Sequence, residues 1–304
     1  MAQNMIDGNP AHTWAPEAPA SNTRPALEEP SRELLFRRRM RLRDGLSELV
    51  AFRHIIVTLA ERELRARYKQ AILGAGWALL TPLMLMLVFS LVFTKFTKVD
   101  SGGVPYPLFA YLGLIPWTFF SSAVSAGGNS LISNTPLLNK VYLPREVFPI
   151  AALAVAAVDA VLSVVVLVGI FAIEGYAPHI QVLYAPVLLV VALIFTLGVT
   201  LAVAALLVYV RDLRNALPLL LQLGLFATPV AYGIVAIAKS RTMVIVFSAL
   251  NPLSPVIDGL RRTILHGQAP DWSALGIGAL TATLLLFVSY LLFKRLETGM
   301  ADIA

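Results

Sequence analysis

The amino-acid sequence predicts an all-α integral membrane protein: six transmembrane helices, an N-terminal amphipathic interface helix, and a re-entrant helical pair between helices 5 and 6. Three observations lead there. Of the 304 residues, 58% are hydrophobic and 14% charged, and the mean hydropathy is +0.75, values that a soluble domain of this length does not sustain. Residues 71–94 hold no ionisable side chain, and as a helix they would extend about 36 Å, enough to cross a hydrocarbon core of about 30 Å with some tilt. Comparable runs recur along the rest of the chain.

Residues 1–30, with scattered Pro, Ala and Asn and few large apolar groups, read as a disordered cytoplasmic tail. No apolar run follows a basic start, as it would in a signal peptide. Residues 31–70 are a basic amphipathic interface segment. There "SRELLFRRRMRLRDG" leads into "LSELVAFRHIIVTLAERELRARYK", where Leu46, Leu49, Val50, Phe52, Ile56, Leu59 and Ala60 recur close to a helical period with Arg53, Glu61 and Arg62 between them. That pattern places a helix in the cytoplasmic interface, its basic face toward anionic headgroups. Residues 71–304 form the six-helix domain, with crossings expected at 71–94, 105–127, 147–173, 181–210, 215–238 and 272–293. The segment "MVIVFSALNPLSPVI", residues 243–257, is apolar but short and carries Pro252 and Pro255, which fits two half-helices better than a full crossing.

Half of the 24 lysines and arginines precede the first crossing. Arg53, Arg62, Arg65, Arg67 and Lys69 lie within about 20 residues of it, which places the N-terminus in the cytoplasm. Basic residues divide evenly among the later loops, so the topology rests on that first flank and on an even number of helices. There is no cysteine, which removes disulfides and thiolate metal sites. His12, His54, His179 and His266 are dispersed without ligand spacing, so no metal site is expected. No G-x-x-x-x-G-K-[ST] run is present to cradle a nucleotide, and no loop sets paired carboxylates beside a nucleophile or base, so the chain is not expected to be an enzyme.

Asp159 lies in the middle of the third crossing, where a carboxylate costs about 2.5–3.5 kcal/mol. It must face protein or water, as a hydrogen-bonded element of the bundle or as part of a conduit wall. In the second crossing, Tyr106, Phe109, Tyr111, Trp117, Phe119 and Phe120 fit an interfacial belt with ordinary core, or rings that stack on sugars. The following "SSAVSAGGNS" is made almost wholly of small residues, which permit close helix approach or leave room for a pore.

The stretches "RELRARYKQAILGAGWALLTPLM", "GVPYPLFAYLGLIPWTFFSSAVSAGGNSLISNTPLLNKVYLPREVFPI", "VRDLRNALPLLLQLGLFATPVAY" and "NPLSPVIDGLRR" resemble the permease subunits of type-2 ABC exporters, in the branch that exports O-antigen, capsule and teichoic acid. The resemblance runs from about residue 46 to the C-terminus. It implies a homodimer in the bacterial inner membrane with both termini cytoplasmic, each subunit docked on a cytoplasmic ABC ATPase (two copies per dimer). ATP and Mg would be bound by that partner, with no cofactor in this chain. The substrate implied is an undecaprenyl-diphosphate-linked polysaccharide, foremost O-antigen, carried to the periplasm among membrane lipids, with no nucleic acid involved. Capsule, teichoic acid or a small hydrophobic drug are alternative cargoes. An ion-coupled secondary transporter working through Asp159 is the more distant reading, since such proteins show interrupted helices in both halves.

The resemblance also assigns roles. Between Pro136 and Pro144, Leu137, Leu138, Asn139, Lys140, Val141, Tyr142 and Leu143, with Arg145 and Glu146 beyond, would be the coupling helix on the ATPase; spacing alone leaves a plain connector equally open. Arg62, Arg65, Arg67 and Lys69 anchor the first helix at headgroup depth and would meet the substrate diphosphate there, Arg65 and Lys69 sharing a helix face. Tyr106, Tyr111, Trp117, Phe120 and Asp159 are the conduit candidates. Pro229, Asn251, Pro252, Pro255, Asp258, Arg261 and Arg262 would form the outer gate, with the two arginines snorkelling to the outer interface or pairing with Asp258. Residues 249–262 are then expected to be a plug that moves when substrate passes, the alternative being a static cap.

Overall fold

A chain surrounded by hydrocarbon closes its backbone hydrogen bonds within its own helices, and in the computed structural model every regular element among the described residues is helical. The structure describes residues 49–69, 76–94, 101–138, 143–234 and 240–300. The elements are α1 (Arg53–Tyr68), α2 (Gly76–Val92), α3 (Tyr106–Ser133), the single turn α4 (Thr135–Leu138) and α5 (Val147–Glu174). A 3₁₀ turn (Ile180–Tyr184) then runs into α6 (Ala185–Tyr209), followed by α7 (Asp212–Ala227), α8 (Arg241–Leu250), α9 (Leu253–Ile264) and α10 (Trp272–Met300). The expected tail, most of the basic segment preceding α1, and Asn139, Lys140, Val141 and Tyr142 lie outside the described residues.

Among the described residues, four helices are long and apolar enough to cross a membrane: Tyr106–Ser133, Val147–Glu174, Ile180–Tyr209 and Trp272–Glu297. Among the described residues the first and fifth expected crossings appear as shorter helices, with residues 71–75 of the first lying outside them. α2 has 17 residues and α7 has 16, each about 25 Å long, and each carries an internal proline, Pro82 and Pro218. α7 stops at Ala227, well before the expected residue 238, because Thr228 precedes Pro229 and takes an extended backbone (ψ 139°) that cannot continue a helix. The break expected at Pro252 is present: α8 and α9 are bent by 119°. There Asn251 leaves the helical region, and its Oδ1 accepts the Leu253 N–H at 3.2 Å.

α3 is the hub. Leu108, Ala110, Tyr111 and Leu114 have no exposed surface, and the helix packs against α5, α6, α9 and α2. One end of the bundle is tied where the Tyr209 hydroxyl donates to the Leu296 carbonyl (2.6 Å) and Arg145 to the Glu297 carbonyl (2.9 Å). The other is tied where Tyr106 donates to the Ala231 carbonyl (2.7 Å) and the His179 N–H to the Ile264 carbonyl (3.1 Å). Apolar side chains such as Val161, Val165 and Val168 on α5 and Leu280, Leu284 and Val288 on α10 face outward, as lipid-facing surfaces do.

The apolar positions read in α1 divide between two surfaces. Leu59 and Ala60 are buried against Val147, Phe148, Ala151 and Val155 at the start of α5, and Leu49, Phe52 and Ile56 are half-buried beside them, whereas Val50 faces outward. α1 therefore docks on protein along α5, a partner its period alone does not reveal.

Small residues set the closest approaches. A Cβ on Gly198 of α6 would lie 3.0 Å from the backbone of Leu286 in α10, so these helices touch main chain to main chain. Gly198→Leu forces them apart, and we expect a cost of about 1–3 kcal/mol. It should be read as a lowered thermal midpoint of the detergent-solubilised protein, with Gly169→Leu, where nothing lies within 4 Å of the added Cβ, as the control that stays near wild type.

Candidate functional site

Asp159 sits twelve residues, or about 18 Å of helix, beyond the start of α5, and α1 reaches it there. Arg67 Nη1 lies 2.7 Å from Asp159 Oδ2, and the Tyr68 hydroxyl donates to Oδ1. Both side chains of the ion pair are partly shielded, Asp159 at 16% exposure and Arg67 at 34%. The pair forms part of the wall of an open cleft of about 710 Å³ between α1, α2, α3, α5 and α7. One wall is a hydroxyl stripe on α3, Thr118, Ser121, Ser122 and Ser125, joined by Thr81 and Ser163, with the rings of Trp77 and Phe119 beside them. The stripe arises because positions 118, 121, 122 and 125 follow the i, i+3, i+4, i+7 spacing of one helix face. The small-residue run thus divides in function. Ser121, Ser122 and Ser125 line the cleft, while Gly127 and Gly128 sit where an added Cβ would collide with Thr200 and Val203 of α6.

The four cations of the expected diphosphate group separate. Arg62 donates to Asn134 Oδ1 (2.5 Å) at the end of α3, Arg65 pairs with Glu61 (3.3 Å) on the exposed face, and Lys69 is exposed. Arg67 is the member that lines the cleft. Arg65 and Lys69 share the expected helix face, but the ion pair to Asp159 turns Arg67 inward.

Of the expected coupling residues, Leu137, Leu138 and Leu143 are half-buried against α1 and α5 rather than fully presented to a partner. Arg145 holds α10 through the Glu297 carbonyl. Glu146 is 1% exposed and pairs with Lys294, which also reaches Glu297 at 3.0 Å. Glu146 Oε2 has no hydrogen-bond partner among the described residues, and burial pushes this carboxyl above the usual carboxylate range. Glu146 is thus internal, locking α5 to α10, because a carboxylate beside a buried apolar cluster is held by a nearby cation from another helix.

The aromatic conduit candidates are core. Tyr106, Tyr111, Trp117 and Phe120 are all buried. The Tyr111 hydroxyl has no hydrogen-bond partner among the described residues, Trp117 packs against Gly224 of α7, and Phe120 stacks on Phe195 with ring centroids 5.3 Å apart. Trp117 and Phe120 border a second, apolar cleft of about 500 Å³ between α3, α6, α7 and α8.

At the opposite end, Pro229, Pro252 and Pro255 are buried and Asn251 donates to Thr228 Oγ1 at 2.8 Å. Arg261 departs from the expectation of snorkelling or of pairing with Asp258. It is 3% exposed and donates to the carbonyls of Phe109 (3.1 Å), Pro229 (2.9 Å), Tyr232 (3.0 Å) and Val230, with its guanidinium 3.7 Å from the Phe109 ring centre. The turn after α7 leaves the Pro229, Val230 and Tyr232 carbonyls outside any helix, and a planar cation with five donors collects them together with that of Phe109 in α3. Asp258 and Arg262 are half-buried nearby, with Arg262 Nε lacking a hydrogen-bond partner among the described residues. Arg241 and Asp271 join the start of α8 to that of α10 at 2.9 Å, and the hydrogen bond from Arg241 holds the Asp271 carboxyl well below its usual range. Ten of the twelve residues of α9 are buried, which fits a packed cap more closely than a loose plug.

Residues 54–265 match the ABC-2 type transporter family. The chain is 32% identical over 255 residues to the O-antigen export system permease protein RfbA of Myxococcus xanthus, covering 84% of this chain and 97% of that protein. It is 25% identical over 250 residues to an RfbA of Klebsiella pneumoniae, covering 82% and 94%. To the polysialic acid transport protein KpsM of Escherichia coli it is 22% identical over 240 residues, covering 79% and 92%. The matched region runs from the second residue of α1 to just past the end of α9.

Arg261→Met should leave three carbonyls in the turn after α7, and that of Phe109 in α3, without this donor, at a cost of about 3 kcal/mol or more. The expected outcome is a clear drop in thermal midpoint, only partly recovered by Arg261→Lys, whose single ammonium cannot reproduce the planar fork.

Proposed function

The chain belongs to the ABC-2 type transporter family, and on that premise we propose that it is the membrane-spanning permease of an ATP-driven exporter for undecaprenyl-diphosphate-linked polysaccharide, with O-antigen as the cargo. The observation that carries the reading beyond the family is the cleft. A conduit for a glycan needs hydroxyls to exchange hydrogen bonds with sugar hydroxyls and rings to lie against sugar faces. The α3 stripe of Thr118, Ser121, Ser122 and Ser125 supplies the first, and Trp77 and Phe119 the second. In this arrangement α2 and α7 are short first and fifth crossings, both termini are cytoplasmic, and two copies in the inner membrane enclose the path. The names of the Myxococcus and Klebsiella relatives, O-antigen export permeases, support this cargo over a drug or a small ion.

Energy would come from ATP and Mg bound by a separate ABC ATPase docked at α4 and the loop that follows it, where Pro136 is exposed. Leu137 and Leu138 share one apolar cluster with Leu59 and Ala60 of α1, so a push on that loop moves α1. The tip of α1 carries Arg67 and Tyr68, which hold Asp159 in the cleft wall. Glu146 and Lys294 pass the same push to α10.

The test is reconstitution of the chain with its ATPase in vesicles containing undecaprenyl-diphosphate-linked glycan. ATP-dependent translocation is expected. The combined change Thr118→Val, Ser121→Ala, Ser122→Ala and Ser125→Ala should lower its rate about tenfold, from the loss of several modest hydrogen bonds, with the thermal midpoint little altered. Translocation that persists without the ATPase and follows an ion gradient would establish the secondary-transporter reading instead.

A further inference from the structure

Arg67 and Asp159 meet within the wall of the cleft that would receive the glycan lipid, and both carboxylate oxygens are engaged: Oδ2 by Arg67 at 2.7 Å and Oδ1 by the Tyr68 hydroxyl. The two bonds differ in what their loss would do. Arg67 is a planar guanidinium at the end of a flexible stem, one-third exposed, able to grip two phosphate oxygens at once. Tyr68 is a neutral donor that can stay on the carboxylate when the guanidinium leaves, so Asp159 is not stripped of hydrogen bonds by that exchange. The other flank cations do not compete for the position. Arg62 is committed to Asn134, Arg65 to Glu61, and Lys69 is exposed. Asp159 is the single acidic side chain lining the cleft among the described residues, and it belongs to the same chemical class, an oxyanion, as the headgroup of a phosphorylated lipid.

We propose that Asp159 is a displaceable counter-ion that holds Arg67 at the cleft wall until the phosphate oxygens of the lipid-linked substrate take its place. This role, which presupposes that the chain carries a phosphorylated lipid, makes Asp159 a determinant of affinity with a sign opposite to that of Arg67. When the headgroup arrives, Arg67 swings from carboxylate to phosphate and Tyr68 keeps Oδ1. The like charges of Asp159 and phosphate then stand on one side of the cleft, which weakens binding and favours onward movement of the cargo. A purely structural ion pair would have no such signed effect, because removing either partner would then disturb the cleft in the same direction.

The experiment uses the full chain with its ATPase in nanodiscs of neutral phosphatidylcholine, and farnesyl diphosphate as a soluble probe in titration calorimetry, with farnesol, inorganic pyrophosphate and added phosphatidylglycerol as comparisons. Asp159→Asn should bind the diphosphate about tenfold more tightly and Arg67→Gln about tenfold more weakly, the scale of one charge-assisted hydrogen bond. Tyr68→Phe, which takes away the donor that Asp159 keeps when Arg67 departs, should bind about threefold more weakly, and Asp159→Ala, expected to bind more tightly as Asp159→Asn does, serves if Asp159→Asn does not fold. Farnesol should show none of these differences. Shifts of the same sign in Asp159→Asn and Arg67→Gln, or no shift in either, overturn the proposal, and so does displacement of the probe by phosphatidylglycerol at equal affinity, which would make the cleft a general lipid-headgroup site. If vesicle export is intact while the affinities are unchanged, the counter-ion role alone falls. If the wild-type chain neither exports nor binds the diphosphate, the export function falls with it.

Discussion

A carboxylate in the middle of a 28-residue apolar helix must find a cation or water, and the way Asp159 meets that demand shapes one half of this molecule. Its partners come from α1, not from another membrane-crossing helix, so α1 lies along α5 with Leu59 and Ala60 against Val147, Phe148 and Ala151. With α1 so placed, its tip stands beside the hydroxyl face of α3 and the first turns of α2, and the space between them is the cleft. The same docking joins α1 to Leu137 and Leu138, so the loop that would face the ATPase and the wall that would face the glycan are parts of one packed body. Cost and use coincide here, since an intramembrane charge that destabilises insertion is the group best able to respond to a charged cargo.

The opposite end meets a different demand with a different device. The turn after α7 and the break between α8 and α9 leave backbone carbonyls outside helices in a region with no water to satisfy them. Arg261 enters the bundle and donates to three of them, Pro229, Val230 and Tyr232, and to the Phe109 carbonyl of α3, while lying on the Phe109 ring. A buried cation here serves main-chain dipoles rather than a carboxylate, which is why its neighbour Asp258 remains only half-buried and the expected ion pair does not form. The staple fixes α9 against the start of α3.

The long helices were legible in the sequence because apolar runs long enough to span, interrupted in α5 by Asp159 alone, admit one reading, and the break at Pro252 because a residue before proline avoids the helical region. The shortness of α7 was legible too, in Thr228-Pro229, but the apolar residues after Ala227 masked it. The hydroxyl stripe was written plainly at 118, 121, 122 and 125, yet composition drew attention to the smallness of that segment rather than to its period. Long-range pairing was not legible. Arg67 with Asp159, Glu146 with Lys294 and Arg261 with the carbonyls after α7 join residues far apart in the chain, and nothing local distinguishes a cation that anchors to headgroups from one that turns inward. The aromatic cluster of α3 illustrates the same limit, since Tyr106, Tyr111, Trp117 and Phe120 look alike in sequence, whereas in the structure all four are buried and only Trp117 and Phe120 border a cleft among the described residues.

The central claim is that α1 is held on α5 by the Arg67–Asp159 pair, and a double-mutant cycle of Arg67→Ala and Asp159→Ala measures it directly through thermal unfolding of the solubilised protein. The account predicts that each single change lowers the midpoint and that the double variant is no worse than the more damaging single one, a coupling of about 1 kcal/mol or more. Strictly additive losses would show that the two side chains do not depend on each other, and would contradict it.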